Sequence, residues 1–151
     1  MGMDVFGKKP KNKSGEYFRN NIWYWHPLWD FCSFVAPNIT EKAPDAHSNS
    51  GDGLNGIDSI KLALQLKESL KNGIADSYIE KFNKAKETAA LVSCYCKDSI
   101  FKTIGLNDIS LCNTCNGTGL MIDPITSFAI DKENILNFIS FLENCGGFEI
   151  C

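Results

Sequence analysis

The stretch that decides the fold reads Cys94-Tyr95-Cys96, then fifteen further residues, then Cys112-Asn113-Thr114-Cys115-Asn116-Gly117-Thr118-Gly119. Each close pair of cysteines places two thiolates at one corner of a metal site, and the intervening loop lets the second pair fold onto the first. The glycines after Cys115 permit the positive φ of a tight turn that points backbone N–H groups at sulfur. The stretch therefore predicts a four-cysteine zinc site. Because cysteine fills all four positions, the zinc is expected to be structural.

Other interpretations of the four cysteines stay open at this stage. They are reduced thiols packed as small hydrophobic side chains, or they hold an iron–sulfur cluster. Disulfides are disfavoured because the chain has seven cysteines, an odd number, and its first residues lack the pattern of a signal peptide. Cys32, Cys145 and Cys151 are expected not to be ligands. The segment CNTCNGTG resembles the CxxCxGxG module of the DnaJ-type chaperone zinc domain, which supports the metal and implies no chaperone activity.

The length of 151 residues predicts a single domain over 1–151, with the zinc knuckle inserted at about 94–119. Hydrophobic residues at 44% and charged residues at 22% are typical of a globular protein. No apolar run approaches the ~20 residues of a membrane helix, so we expect a cytoplasmic protein that contacts no membrane. The net charge of −3 argues against nucleic-acid binding, although residues 1–19 carry five basic and two acidic side chains.

The order of the predicted elements indicates an α+β fold, a small antiparallel sheet with three to four helices and the zinc knuckle. Strands are predicted over residues 1–7, 16–25 and 148–151. Pro27 is expected to open a helix that Pro37 ends. Further helices are predicted over residues 56–71, over 75–92 and after a cap at Asp131. The expected apolar face of the first of these comprises Ile57, Ile60, Leu62, Leu64, Leu66 and Leu70.

The aromatic run near the amino end offers one candidate for ligand binding. Trp23 and Trp25 are two residues apart on the predicted second strand, and Arg19 and Asn21 share their parity. Aromatic rings beside Arg and Asn would form a wall for a flat polar ligand such as a nucleobase, with phosphate at Arg19. The alternative is that these rings form part of the hydrophobic core.

The segment over residues 37–53 is predicted to be a long loop that ends in His47-Ser48-Asn49-Ser50-Gly51-Asp52-Gly53. One interpretation is a solvated turn in which Asp52 or Asn55 caps the following helix. The other is a polar binding loop that faces the aromatic wall, with His47 as a hydrogen-bonding or acid–base group. The candidate ligand site then comprises Arg19, Trp23, Trp25, His47, Asn49 and Asp52.

Four segments together resemble a family of small proteins of bacteria and of their phages and prophages. They are the opening MGMDVFGKKP, the segment GEYFRNNIWYWHPLWDF, the loop HSNSGDGL and the ending FLENCGGFEIC, so the resemblance spans nearly the whole chain. It implies an intracellular protein of phage or prophage origin with a zinc knuckle, and it carries over no catalytic residue. Other members bear two CxxCxGxG modules, whereas here the first is reduced to Cys94-Tyr95-Cys96.

Three hypotheses for function follow. The first is a module that binds a small nucleotide-like ligand without turning it over, such as a phage sponge for the signalling nucleotides of bacterial immunity. The second is an adaptor that binds a host protein or nucleic acid through the knuckle, although Lys97 and Lys102 are the only basic residues of 94–119. The third is an enzyme with His47 and Asp52, or Asp4, in acid–base roles, although no known hydrolase motif is present. The predicted strand edges also lead us to expect a homo-oligomer.

Overall fold

The computed structural model describes residues 2–97 and 112–151. The chain divides into two units, one formed by Met1–Phe82 with Phe128–Cys151 and the other by Asn83–Ser127, which contains the predicted knuckle. The strands of the described residues are β1 (Gly2–Gly7), β2 (Tyr17–Asn21), β3 (Leu91–Ser93), β4 (Leu120–Ile122) and β5 (Phe148–Ile150). The helices are α1 (Ile22–Val35), α2 (Pro37–Thr40), α3 (Gly56–Lys71), α4 (Ile74–Glu87) and α5 (Lys132–Asn144). The predicted α+β class is confirmed.

The first unit contains a three-stranded antiparallel sheet in the order β2-β1-β5. Val5 at the centre of the sheet lies opposite Phe18 on one side and Ile150 on the other. Val5 and Ile150 are fully buried, because the alternation of each strand directs these side chains into the core. The predicted first and last strands are therefore confirmed, and the last strand is bound to the first.

The predicted second strand is wrong beyond Asn21. The side chain of Asn21 accepts a hydrogen bond from the backbone N–H of Tyr24 at 3.1 Å, so it caps α1 and the chain becomes helical at Ile22. Pro27 consequently lies inside α1 and does not open it. A proline cannot donate to the carbonyl four residues earlier, which belongs to Trp23, and the N–H of Ala129 donates to that oxygen at 3.0 Å.

Helix α3 has the predicted bounds but buries a different face. Asn55 caps it by accepting from the N–H of Asp58 at 2.9 Å, and Leu62 and Leu66 are fully buried as expected. The prediction that Ile57, Ile60 and Leu64 belong to the buried face is wrong, because all three side chains are exposed. The helix instead turns small and polar side chains inward, namely Asp58, Ser59, Ala63 and Ser69. Close packing against neighbouring elements favours these small side chains.

The other helices follow the sequence signals more closely. Asp131 caps α5 by accepting from the N–H of Asn134 at 2.8 Å, and Ile135, Phe138, Ile139 and Leu142 are buried as predicted. Helix α4 ends at Glu87, earlier than predicted, and Val92 belongs to β3. Among the described residues, no helix has both the length and the apolar character needed to cross a membrane.

The core of the first unit is aromatic. The ring of Trp25 stacks on Trp29 at 5.7 Å and meets Phe138 edge-on at the same separation. Phe141 and Phe148 extend the cluster, and both are buried. Rings at such separations add attraction beyond the area that they bury. The aromatic residues of α1 and α5 therefore hold the sheet against the helices.

Candidate functional site

The strands of the second unit bring the two cysteine pairs together. Cys94 directly follows β3, and Cys112 and Cys115 precede β4. Because β3 and β4 pair antiparallel, the ends that carry the cysteines lie side by side. The backbone N–H of Cys94 also donates to the carbonyl oxygen of Gly119 at 3.0 Å, which extends the pairing to the edge of the site.

The four predicted sulfur ligands converge. The Sγ atoms of Cys94, Cys96, Cys112 and Cys115 all lie within 4.8 Å of one another. Sγ of Cys94 is 3.7 Å from that of Cys112, and Sγ of Cys96 is 3.6 Å from that of Cys115. Cys94 and Cys115 are buried, whereas Cys96 and Cys112 are half-buried. This arrangement could bind one metal ion.

The turn after Cys115 has the predicted geometry. Asn116, Gly117 and Gly119 have φ angles of 48°, 80° and 70°. These left-handed conformations curl the chain back so that the N–H of Gly119 donates to Sγ of Cys115 at 3.2 Å. Hydrogen bonds of this kind stabilise a thiolate and orient it.

The electrostatics of the cluster favour a cation. Hydrogen bonds from the backbone N–H groups of Cys115 and Thr114 lower the pKa of the Cys112 thiol to about 6. Burial and hydrogen bonds to the neighbouring thiols raise the pKa of Cys96 to about 12. Several adjacent thiolates repel one another, so a divalent ion bound between them would supply the positive charge that lets all four ionise. Of the other cysteines, Cys32 and Cys145 lie in the core of the first unit, and Cys151 is exposed.

The predicted aromatic wall does not form, because Trp23 and Trp25 lie on a helix and not on one strand face. The side chain of Trp25 is 0% exposed, and its Nε1 donates to the carbonyl oxygen of Ala46 at 2.7 Å. Trp25 therefore offers no face to a ligand, and the core interpretation is correct for it. Trp23 is 42% exposed.

Two of the polar candidates are engaged with β1. Arg19 lies opposite Asp4 across the sheet, and its Nε is 3.5 Å from Oδ1 of Asp4, which also accepts a hydrogen bond from the Tyr17 hydroxyl. The Asp4 carboxylate partly neutralises the guanidinium that was predicted to meet phosphate. Asn49 donates through Nδ2 to the carbonyl oxygen of Gly2 at 3.2 Å. Arg19 is thus paired with β1 through Asp4, and Asn49 attaches the loop that follows α2 to the same strand.

Asp52 stabilises its own loop. One carboxylate oxygen accepts from the N–H of Asp45 at 2.7 Å, and the other accepts from the N–H of Gly53 at 2.8 Å. Both oxygens are engaged, so Asp52 is not placed to act on a ligand as predicted. The turn interpretation is the better one here, and Asn55 is the residue that caps α3.

His47 belongs to a cluster that sequence reasoning missed. Its Nδ1 is 2.8 Å from Nδ1 of His26, and its Nε2 is 3.1 Å from Oδ1 of Asp30. The ring of His26 meets Phe128 edge-on at 6.1 Å, and Phe128 packs on Trp23 at 5.5 Å. We name Trp23, His26, His47 and Phe128 the aromatic–imidazole surface. The usable signal was the helical spacing of Trp23, His26 and Asp30, which the prediction of a strand over 16–25 obscured.

Fold and site together define a class, an α+β protein with a cluster of four cysteines that could hold a metal ion. Comparison of the chain with protein-family models, with curated proteins and with solved structures gives no match. A function must therefore be inferred from the residues of the two sites.

Proposed function

We propose that the chain is a zinc-stabilised module that binds a small, polar, nucleotide-like ligand without turning it over. The aromatic–imidazole surface is the ligand site, and the four cysteines hold one structural zinc ion. The resemblance to proteins of phages and prophages supports a role in sequestering nucleotide signals of bacterial immunity.

The separations of the sulfur atoms support zinc. Four thiolates held about 2.3 Å from Zn²⁺ in a tetrahedron lie about 3.8 Å from one another. The two sulfur–sulfur distances of 3.7 and 3.6 Å are close to that value. Four protein ligands leave no position for water or substrate, so the ion stabilises the knuckle and takes no part in a reaction. Iron bound by four thiolates is distinguished by elemental analysis, which should give about one zinc per chain.

The observation that carries the ligand proposal is the exposed indole of Trp23, which packs on Phe128, the ring that His26 also meets. A base that stacks on an exposed aromatic side chain gains ~1–3 kcal/mol, whichever base it is. The packing of Phe128 at 5.5 Å holds the Trp23 ring in place, which lowers the entropy lost on binding. Nδ1 of His26 contacts Nδ1 of His47, whose Nε2 lies against Asp30, so Nε2 of His26 is the ring nitrogen that can donate to or accept from a flat ligand and select among such ligands.

The test is retention of intact ligand. The purified chain is incubated with a panel of nucleotides and cyclic nucleotides, desalted and denatured, and the released compounds are identified by mass spectrometry. We expect one class to be recovered intact from the parent chain and at least tenfold less from Trp23→Ala, since a lost contact of ~1.4 kcal/mol is a factor of ten. Leu136→Ala is the matched control, because Leu136 on α5 is also an exposed apolar residue, 54% exposed against 42% for Trp23.

The other outcomes assign the other functions. Recovery of a chemically altered compound would show that the chain is an enzyme. Retention that is equal in the parent and in Trp23→Ala would show that the ligand binds at another site. No retention at all would contradict the ligand proposal and favour the adaptor.

One observation favours the adaptor as a second candidate. Leu91 and Ile122 face each other across β3 and β4, and both are exposed, as are Leu120 and Tyr95. Exposed apolar groups gathered on a small two-stranded sheet are typical of a protein-binding surface. An adaptor predicts that host proteins recovered on the parent chain are lost on Ile122→Lys and kept on Leu136→Lys.

A further inference from the structure

The chain has two histidines, and they lie side by side. His26 is half-buried in the second turn of α1, and His47 is exposed on the loop that follows α2. Their Nδ1 atoms are 2.8 Å apart. The contact is a hydrogen bond in which the two Nδ1 atoms share one proton, and a metal ion that replaces this proton would be held by both nitrogens.

Asp30 decides which nitrogen of His47 is available. Its Oδ1 is 3.1 Å from Nε2 of His47, and an ionised carboxylate can only accept a hydrogen bond. Neutral His47 therefore carries its proton on Nε2 and keeps a lone pair on Nδ1, the atom that faces His26. A carboxylate behind an imidazole whose other nitrogen is free to coordinate is the usual support of a histidine that binds a metal.

We propose that His26 and His47 form a second metal site, which binds one divalent transition-metal ion through both Nδ1 atoms while Asp30 orients His47. The site does not use the four cysteines, but it shares both imidazoles with the aromatic–imidazole surface. Metal binding is therefore measured without nucleotide, so that failure of this proposal and failure of the ligand proposal are distinguishable. Water completes the coordination, because 45% of the His47 side chain is exposed.

The separation of the two nitrogens indicates the class of ion. Two imidazole nitrogens about 2.0–2.1 Å from a metal lie about 2.9 Å apart at a right angle and about 3.3 Å apart in a tetrahedron. The observed 2.8 Å is closer to the right angle. Right-angled positions occur in the tetragonal and octahedral geometries of Cu²⁺ and Ni²⁺, which also bind imidazole tightly among the first-row ions.

Nickel is the probe for the test, because it prefers these geometries without oxidising thiols. Ni²⁺ is titrated into the zinc-loaded full chain at pH 7.5 by calorimetry, in a Cys151→Ser background that removes the exposed thiol. We expect about one Ni²⁺ per chain beyond the zinc, and paramagnetic broadening of the imidazole resonances, which belong to His26 and His47 alone.

The variants identify the ligands. His26→Gln and His47→Gln should each weaken Ni²⁺ binding at least tenfold, and Asp30→Asn should weaken it roughly 10- to 100-fold by releasing His47. Glu41→Gln removes an equal charge from an exposed position nearby in the chain and should change nothing. Nickel binding that is absent from the parent, or equal in all four variants, would overturn the proposal. If both histidine variants fail to fold, the comparison of Asp30→Asn with Glu41→Gln decides the question.

Discussion

The backbone N–H of Ala129 donates to the carbonyl oxygen of Trp23 at 3.0 Å and so makes the hydrogen bond that Pro27 cannot make within α1. The same contact holds Phe128 against the indole of Trp23. A proline inside a helix thus becomes a docking point for a distant part of the chain.

Replacing Ala129 by proline tests this relationship. The Ala129→Pro variant lacks the donor and leaves the Trp23 carbonyl oxygen without a partner, which should cost about 1–3 kcal/mol in the free energy of unfolding. In a Pro27→Ala background, the new N–H of residue 27 can donate to the same oxygen, so the added cost of Ala129→Pro should be smaller. Chemical denaturation of both single variants and the double variant measures the coupling. Strict additivity would contradict the assignment.

Zinc retention should depend on Gly119. Gly119→Ala forces a left-handed φ of 70° on a residue with a side chain and places a Cβ 2.1 Å from Cε of Lys97. The strained turn can no longer hold its N–H on Sγ of Cys115, so we expect faster loss of zinc to a chelator. Gly51→Ala is the control, because Gly51 has a similar φ of 82° and open space around it. Equal rates of zinc loss in the two variants would refute this role.

The four-cysteine cluster was predictable because its signal is local. The spacing of Cys94, Cys96, Cys112 and Cys115 and the glycines that follow specify a chelate and a turn, and neither needs distant contacts. The caps at Asn55 and Asp131 were readable for the same reason, since each acts within one helical turn.

The aromatic–imidazole surface was not predictable in the same way. The run from Ile22 to Val35 is apolar except at His26, Asp30 and Ser33. Its first four residues, before His26, are all apolar or aromatic, so its opening does not separate a strand from a buried helix. The side chain of Asn21 decides the matter by capping at Tyr24. In the helix, Trp25 points into the core, whereas Trp23 is exposed. Trp23 and His26 then both contact Phe128, a residue distant in the sequence, and contacts of this kind depend on tertiary structure.

Stability should depend on pH through Asp58. The hydrogen bond from Nζ of Lys42, at 2.8 Å, lowers the pKa of the Asp58 carboxyl against the opposing effect of burial. Because the folded pKa lies below the unfolded one, the stabilisation is complete above the unfolded pKa of ~3.9 and is lost as the pH falls through the folded pKa. Asp58→Asn should thus cost about 1–3 kcal/mol at pH 7 and progressively less below about pH 4.

Asp76→Asn provides the matched control for Asp58. Asp76 pairs with Lys132, but more than half of each side chain is exposed, so water and salt screen the attraction. Denaturant midpoints measured from pH 3 to pH 7 should change little for Asp76→Asn. The same small effect for both variants would show that the Lys42–Asp58 pair contributes no net stability.

The two tryptophans at the start of α1 should respond to substitution in opposite ways. Trp25→Phe keeps an aromatic ring in the core but leaves the carbonyl oxygen of Ala46, the partner of Nε1, without a donor. We expect a loss of about 1–3 kcal/mol in the free energy of unfolding. The indole of Trp23 has no hydrogen bond within the part of the chain that the structure describes, and Trp23→Phe keeps a ring on this partly exposed surface. The free energy of unfolding should therefore change by less than about 1 kcal/mol.

The binding measurements should show the reverse order. Trp23→Ala should weaken retention of a nucleotide-like ligand, whereas Trp25→Phe should leave retention unchanged under conditions in which it is folded, because a side chain with no exposed area cannot touch a ligand. Denaturation and retention measured on the same preparations separate the two roles. Retention that falls in folded Trp25→Phe and not in Trp23→Ala would mean that the ligand enters the core, and the aromatic–imidazole surface would then not be the site.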